Sequence, residues 1–145
     1  MEKILKIQLE AILENQGLAR GVAAAYASEL DPTVEELTEI KTAVSEAFSN
    51  AALHGYPGDM SGIVTMEFAT IRPDTIMMKI SDQGVGIENI ARAMEPLFTT
   101  DTGDERSGMG FTVMESFTDR IKVDSRPGEG TTVTLIKKLD KYYDF

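Results

Sequence analysis

The chain has 145 residues, 42% of them hydrophobic, no cysteine, and a net charge of -10 from 24 acidic and 14 basic side chains. This predicts a single domain over residues 1–145 with a sizeable core, rules out disulfides and thiolate metal sites, and fits a reducing, cytoplasmic setting. The excess acid argues against binding nucleic acid through a general basic face. The lack of a long apolar run or a signal-peptide pattern argues against a membrane partner.

Residues 3–10 carry Ile4, Leu5, Ile7 and Leu9 in rough alternation and predict a strand. From Glu14 to Leu30 the spacing of Leu18, Val22, Ala25 and Tyr26 predicts a helix. Asp31-Pro32-Thr33 breaks it, with Thr33 as N-cap and Glu36 three residues on as its capping-box partner. A second helix is predicted from Val34 to His54. It buries Leu37, Ile40, Val44, Ala47, Phe48 and Ala51, and Gly55 is its stop. Val64, Met66 and Phe68, then Ile76, Met78 and Ile80, alternate as the strands of a hairpin turned at Arg72-Pro73-Asp74.

The stretch from Asp82 to Arg106 has little periodicity, apart from a short helix expected over 88–94, and a loop this long is usually functional or mobile. A third helix is expected to start at Gly108–Gly110 and run to Phe117. Strands at Arg120–Asp124 and Thr131–Lys138 follow, joined through Gly128-Glu129-Gly130. The class is α+β: a two-layer sandwich with a mostly antiparallel sheet covered on one face by helices.

Three separated segments carry the chemistry. Glu46 and Asn50 stack four residues apart on a stripe of the second helix turned away from the core. A carboxylate there can orient or deprotonate an attacking hydroxyl, and an amide oxygen suits Mg²⁺. Taken alone, the pair also fits a solvated polar stripe. Asp82 ends an apolar strand before Gly84 and Gly86; it can accept from the exocyclic amine of adenine while the glycines let a flat base approach. Taken alone, this also reads as an ordinary Asp-x-Gly turn. Gly108-Met109-Gly110 at a helix start offers backbone N–H groups to phosphate, or is a flexible helix start. A P-loop is excluded, a dinucleotide fold is disfavoured, and one histidine cannot build the usual catalytic zinc site. A polyanionic nucleotide on so acidic a chain would need a divalent cation to offset repulsion. Arg20, on composition, is a solvated helix residue.

Together LTEIKTAVSEAFSNAALHGY, DQGVGI, PLFTT and ERSGMGFTVME resemble the GHKL superfamily, whose members share the Bergerat ATP-binding fold. Within it the likeness narrows to the anti-sigma serine kinases, of the type acting on sporulation sigma factor F in spore-forming bacteria, and runs along almost the whole chain. The resemblance implies ATP and Mg²⁺ as cofactors, Glu46 as general base, Asn50 as Mg²⁺ ligand and Asp82 as the adenine reader. Gly84 and Gly86 would shape the base pocket, and Thr132 would add a hydroxyl near adenine. Thr99, Thr100, Ser107, Gly108, Met109 and Gly110 belong to the ATP lid and phosphate segments, and Arg106 matches the lid arginine on the γ-phosphate.

Arg20 matches a partner-contact arginine used for both a sigma factor and an anti-anti-sigma protein, the latter being the phosphorylation substrate, and the assembly expected is a homodimer. One departure is Asp101, where relatives commonly have lysine; lid closure is then expected to lean more on Mg²⁺ and Arg106. The alternatives are a stress-response anti-sigma kinase of the RsbW type, a nucleotide-gated anti-sigma binder without kinase activity, and a detached histidine-kinase catalytic domain.

Overall fold

A computed structural model of the chain describes residues 1–57, 61–87, 94 and 110–140. Five strands form one sheet: β1 (Glu2–Glu10), β2 (Ile63–Ile71), β3 (Thr75–Asp82), β4 (Arg120–Arg126) and β5 (Gly130–Lys138), in the order β1-β2-β3-β5-β4, every neighbouring pair antiparallel. Among the described residues three α-helices, α1 (Gln16–Ala27), α2 (Val34–Asn50) and α3 (Gly110–Phe117), complete the α+β architecture. The strand alternation is realised as read. Val64, Met66, Phe68, Ile76, Met78, Ile80 and Leu135 are buried and meet Ile40, Val44, Phe48 and Met114 from α2 and α3. Every second residue of a strand points to one face, so the period-two pattern builds one side of the core and the helical stripe the other.

Local signals set the helix boundaries. Thr33 Oγ1 accepts from the Glu36 N–H at 3.0 Å, and Glu36 Oε1 accepts from the Thr33 N–H at 2.8 Å, a complete capping box. The other Glu36 oxygen accepts from the Asp140 N–H at 2.7 Å, so one carboxylate ties the start of α2 to the end of β5. Its pKa is lowered; burial works against this, but the N–H groups of Thr33 and Asp140 together with the Thr33 hydroxyl and nearby Lys137 outweigh it. At its other end α2 departs from the expected uniform helix, because residues Ala51–Gly55 form a π-helical turn. Such turns are rare and recur at functional sites.

The N-terminal strand is more exposed than the core strands. β1 is an edge, its register with β2 breaks between Glu2 and Leu5, and Ile4 is 71% exposed. The first helix matches its expected span when the short 3₁₀ turns at Leu13–Asn15 and Ser28–Leu30 are included. Tyr26 on α1 packs its ring 5.4 Å from Phe68 and donates its hydroxyl to the Lys3 carbonyl at 2.6 Å, joining α1 to both β1 and β2. The helix expected over 88–94 lies outside the described residues, Met94 apart.

Candidate functional site

The site is assembled around the end of α2 and the turn that follows it. Glu46 and Asn50 are both half-buried on the expected stripe, beside core-facing Ala47 and Ala51. Asn50 meets the first residue of α3: a Cβ on Gly110 would lie 2.9 Å from Asn50 Nδ2 and 3.1 Å from Oδ1. Glycine at 110 therefore lets the helix begin directly against the amide, whose oxygen is a neutral acceptor between α2 and α3.

The π turn then carries the chain to Asp82, the last residue of β3. The Asp82 side chain is buried and packs on Gly55, where a Cβ would fall 2.7 Å from its Cγ, 2.8 Å from Oδ1 and 2.9 Å from Oδ2. Oδ1 accepts from the Gly84 N–H at 2.9 Å, and the Thr131 backbone N–H also reaches the carboxyl. Burial raises the Asp82 pKa above the ordinary aspartate range; those two N–H groups work against the shift without cancelling it. A carboxylate kept dry and held by backbone donors is a directed acceptor, suited to a ligand amine.

The glycines after Asp82 have steric reasons of their own. Gly84 lies on the Gly55 carbonyl with no room for a Cβ, and the Val85 N–H donates to that same carbonyl at 2.9 Å. Gly86 adopts φ +76 and packs on the Arg126 carbonyl, where only glycine fits without strain. Beside them Tyr56 accepts from the Gln83 N–H at 2.7 Å and donates to the Ile63 carbonyl at 2.9 Å, pinning the turn to the start of β2. Sequence reading passed over Tyr56, since nothing local marks a tyrosine as a brace between segments distant in the chain.

Thr131 and Thr132 stand on opposite faces of the sheet. Asp82 stands opposite Thr131 in the β3–β5 register, whereas Thr132 stands opposite Ser81 and bonds its hydroxyl at 3.0 Å on the other face of the sheet. Thr131 is buried on the Asp82 side with Val133 and Leu135. The signal was available: residues two and four before a core leucine share its face, so the alternation already assigned position 131 inward. The cavity of about 630 Å³ at this end of the sheet is bordered by Asp82, Ser125 and Thr131 as well as by Ser81, Gln83 and Thr132, so both threonines line the same space as Asp82.

The structure thus brings Gly55, Asp82, Gly84 and Thr131 into one contiguous set of contacts, sets Asn50 against Gly110 at the start of the π turn, and packs Gly86 on Arg126. Arg20 lies apart on the exposed side of α1. Thr99, Thr100, Arg106, Ser107, Gly108 and Met109 lie outside the described residues, as does Asp101.

Residues 9–137 match the histidine kinase-like ATPase domain family. The chain is 50% identical over 141 residues to the anti-sigma F factor of Anoxybacillus flavithermus, covering 97% of this chain and 96% of the relative. It is 49% identical to that of Clostridium acetobutylicum, covering 96% of each, and 48% identical to that of Lysinibacillus sphaericus, covering 96% of this chain and 94% of the relative. Among solved structures, the RsbU and RsbW domains of Rv1364c from Mycobacterium tuberculosis superpose with a TM-score of 0.70 at 20% identity, covering 99% of this chain and 34% of that one. The mycobacterial sensor histidine kinase MprB superposes at 0.59 with 18% identity, covering 93% and 98%; both show a shared fold. The chain belongs to the histidine kinase-like ATPase domain family, an ATP-binding family, and within it to the anti-sigma F factors.

Proposed function

We propose that this protein sequesters a sigma factor of the sporulation F type in an ATP-dependent manner and phosphorylates a serine of an anti-anti-sigma antagonist. The observation that carries the reading is the joining of Asn50, Asp82 and Gly110 through the π turn, in a chain about half identical along its length to anti-sigma F factors. Asp82 accepts the adenine amine, with Thr131, rather than Thr132, as the adjacent hydroxyl. Asn50 holds Mg²⁺ together with phosphate oxygens and water, the sparse ligand set that ion prefers. This fits the described residues, among which no three His, Asp or Glu side chains gather into a metal cage. When bound, Mg²⁺ neutralises charge on the phosphates.

Glu46 orients the acceptor serine and takes its proton as the serine oxygen bonds to the γ-phosphorus and ADP leaves. Thr99, Thr100, Ser107, Gly108 and Met109 cover the phosphates in this reading, and Arg106 offsets charge on the transferred group. The added phosphate weakens the antagonist's own binding. Arg20, exposed on α1, contacts both protein partners. The active form is a cytoplasmic homodimer of single-domain protomers, a reading supported by the exposed apolar Ile4 and Leu5 on the edge strand.

The test is phosphotransfer from labelled ATP to a cognate anti-anti-sigma protein, with Glu46→Ala alongside. Acid-stable phosphoserine from the wild type, lost in Glu46→Ala while ATP still binds, supports the proposal. Acid-labile product, or transfer undiminished in Glu46→Ala, overturns it.

A further inference from the structure

Ser125, near the end of β4, bonds to both walls of the Asp82 site. Its hydroxyl oxygen accepts from the Ile87 N–H at 2.8 Å, lies 2.7 Å from Thr131 Oγ1, and donates to the Gly130 carbonyl at 3.0 Å. It therefore links the glycine loop after Asp82 to the strand that carries Thr131. Register puts Ser125 opposite Thr131 on β5, and Thr131 opposite Asp82 on β3, so the three side chains stand in a row across the sheet on its helix side.

The hydrogen count of that row decides how Thr131 faces a ligand. A serine hydroxyl has one hydrogen and two lone pairs. With its hydrogen on the Gly130 carbonyl and one lone pair on the Ile87 N–H, Ser125 has a single vacancy left, for a donor. Thr131 fills it by donating its own hydrogen, and then offers only lone pairs to the space beside Asp82. Two neighbouring acceptors, a carboxylate and a hydroxyl oxygen, match a group with two hydrogens to give. The amine at position 6 of adenine is such a group, and the carbonyl oxygen at the same position of guanine is not. Facing the two acceptors, guanine would bring a third lone-pair donor and leave buried acceptors unpaired.

We propose that Ser125 is a positioning residue for nucleobase choice: by taking the Thr131 hydrogen it holds that hydroxyl as an acceptor and sets the preference for ATP over GTP. This rests on the nucleotide reading of the Asp82 site. Without Ser125, Thr131 is free to rotate and donate, which accommodates guanine and relaxes the choice.

The experiment is calorimetric titration of the full chain with Mg·ATP and separately with Mg·GTP, for wild type, Ser125→Ala and Ser125→Thr. The loss of one hydrogen bond corresponds to a roughly three- to tenfold weaker ATP affinity in Ser125→Ala, with GTP affinity unchanged or tighter. Ser125→Thr keeps the hydroxyl and restores the wild-type ratio. Thr131→Val should abolish the effect, so that adding Ser125→Ala to it moves the ratio no further. Equal weakening toward ATP and GTP in Ser125→Ala marks a merely structural serine and overturns the proposal. A wild type that binds neither nucleotide overturns the nucleotide reading as well, so the two failures are distinguishable.

Discussion

Gly55→Ala offers a direct measure of how tightly the Asp82 carboxyl is seated. Gly55 is not among the residues with positive φ, so its backbone accepts alanine without torsional strain. The obstacle is steric. The new Cβ would lie 2.7 Å from Asp82 Cγ, about 0.7 Å inside an ordinary contact of 3.4 Å. Asp82 has little room to withdraw, because it is buried and its Oδ1 holds the Gly84 N–H at 2.9 Å. A shift of about 0.7 Å would stretch that bond to about 3.6 Å, beyond hydrogen-bond range. Overpacking of this kind costs about 1–3 kcal/mol of folding stability.

Losing the oriented carboxylate should weaken ATP binding roughly ten- to hundredfold, as expected for a hydrogen bond to a charged group. The assays are urea unfolding and calorimetric titration with Mg·ATP. The decisive comparison repeats Gly55→Ala in an Asp82→Ala background, where the clash is gone and the stability loss should largely vanish. If the loss persists undiminished without the carboxyl, or if Gly55→Ala alone leaves unfolding and ATP affinity unchanged, the steric argument is wrong.

Further outcomes test separate parts of the structure. A Cβ added to Gly17 on α1 would meet nothing within 4 Å, so Gly17→Ala should raise stability by about 0.5–1 kcal/mol in urea unfolding; a destabilised variant would show that the space is not free. Glu36→Ala removes the carboxylate half of the capping box and the Asp140 tether together, leaving the residue 36 N–H on Thr33, and should cost about 2–3 kcal/mol. Because the folded pKa of Glu36 is lowered, its contribution is full above the ordinary glutamate value and lost as pH falls through the lowered one. The wild-type-to-variant stability gap should shrink in acid, and a gap constant across that range would contradict the assignment. Asp82 titrates with the opposite sign. Its folded pKa is raised, so the unliganded protein loses stability as pH rises from the ordinary aspartate value through the raised one, while ATP affinity climbs over the same window. Asp82→Asn should flatten both dependences; a flat wild-type affinity profile would rule out the carboxylate as the base reader.

Local rules carried much of the fold. Thr33 and Glu36 form a capping box because both bonds close within one helical turn, so the spacing alone contains the geometry. The hairpin strands match their alternation residue for residue, since a sheet face is selected by parity. The resemblance carried a hydroxyl across at Thr132, whereas parity with Val133 and Leu135 puts Thr131 on the Asp82 side: the strand period separates two adjacent threonines that a motif match does not. The expected uniform end of α2 failed. A π turn costs intrahelical geometry that no local propensity favours, and the contacts of Gly55 with Asp82 and Gly84 accompany it.

The amino-acid order by itself determined which segments become strands and helices, where α2 begins, and which residue types are available for a nucleotide: a strand-ending aspartate, a helical Glu–Asn pair and glycines at two turns. These are properties of neighbours within about one turn or one pleat, and periodicity records them directly. Tertiary structure alone decided the order β1-β2-β3-β5-β4, the third bond of Glu36 to a residue 104 positions away, the seat of Asp82 on Gly55, and the row of Ser125, Thr131 and Asp82 across three strands. Such contacts join groups whose separation in the chain is set by packing of whole elements, and close packing leaves each of them a single arrangement that no short window of sequence can express.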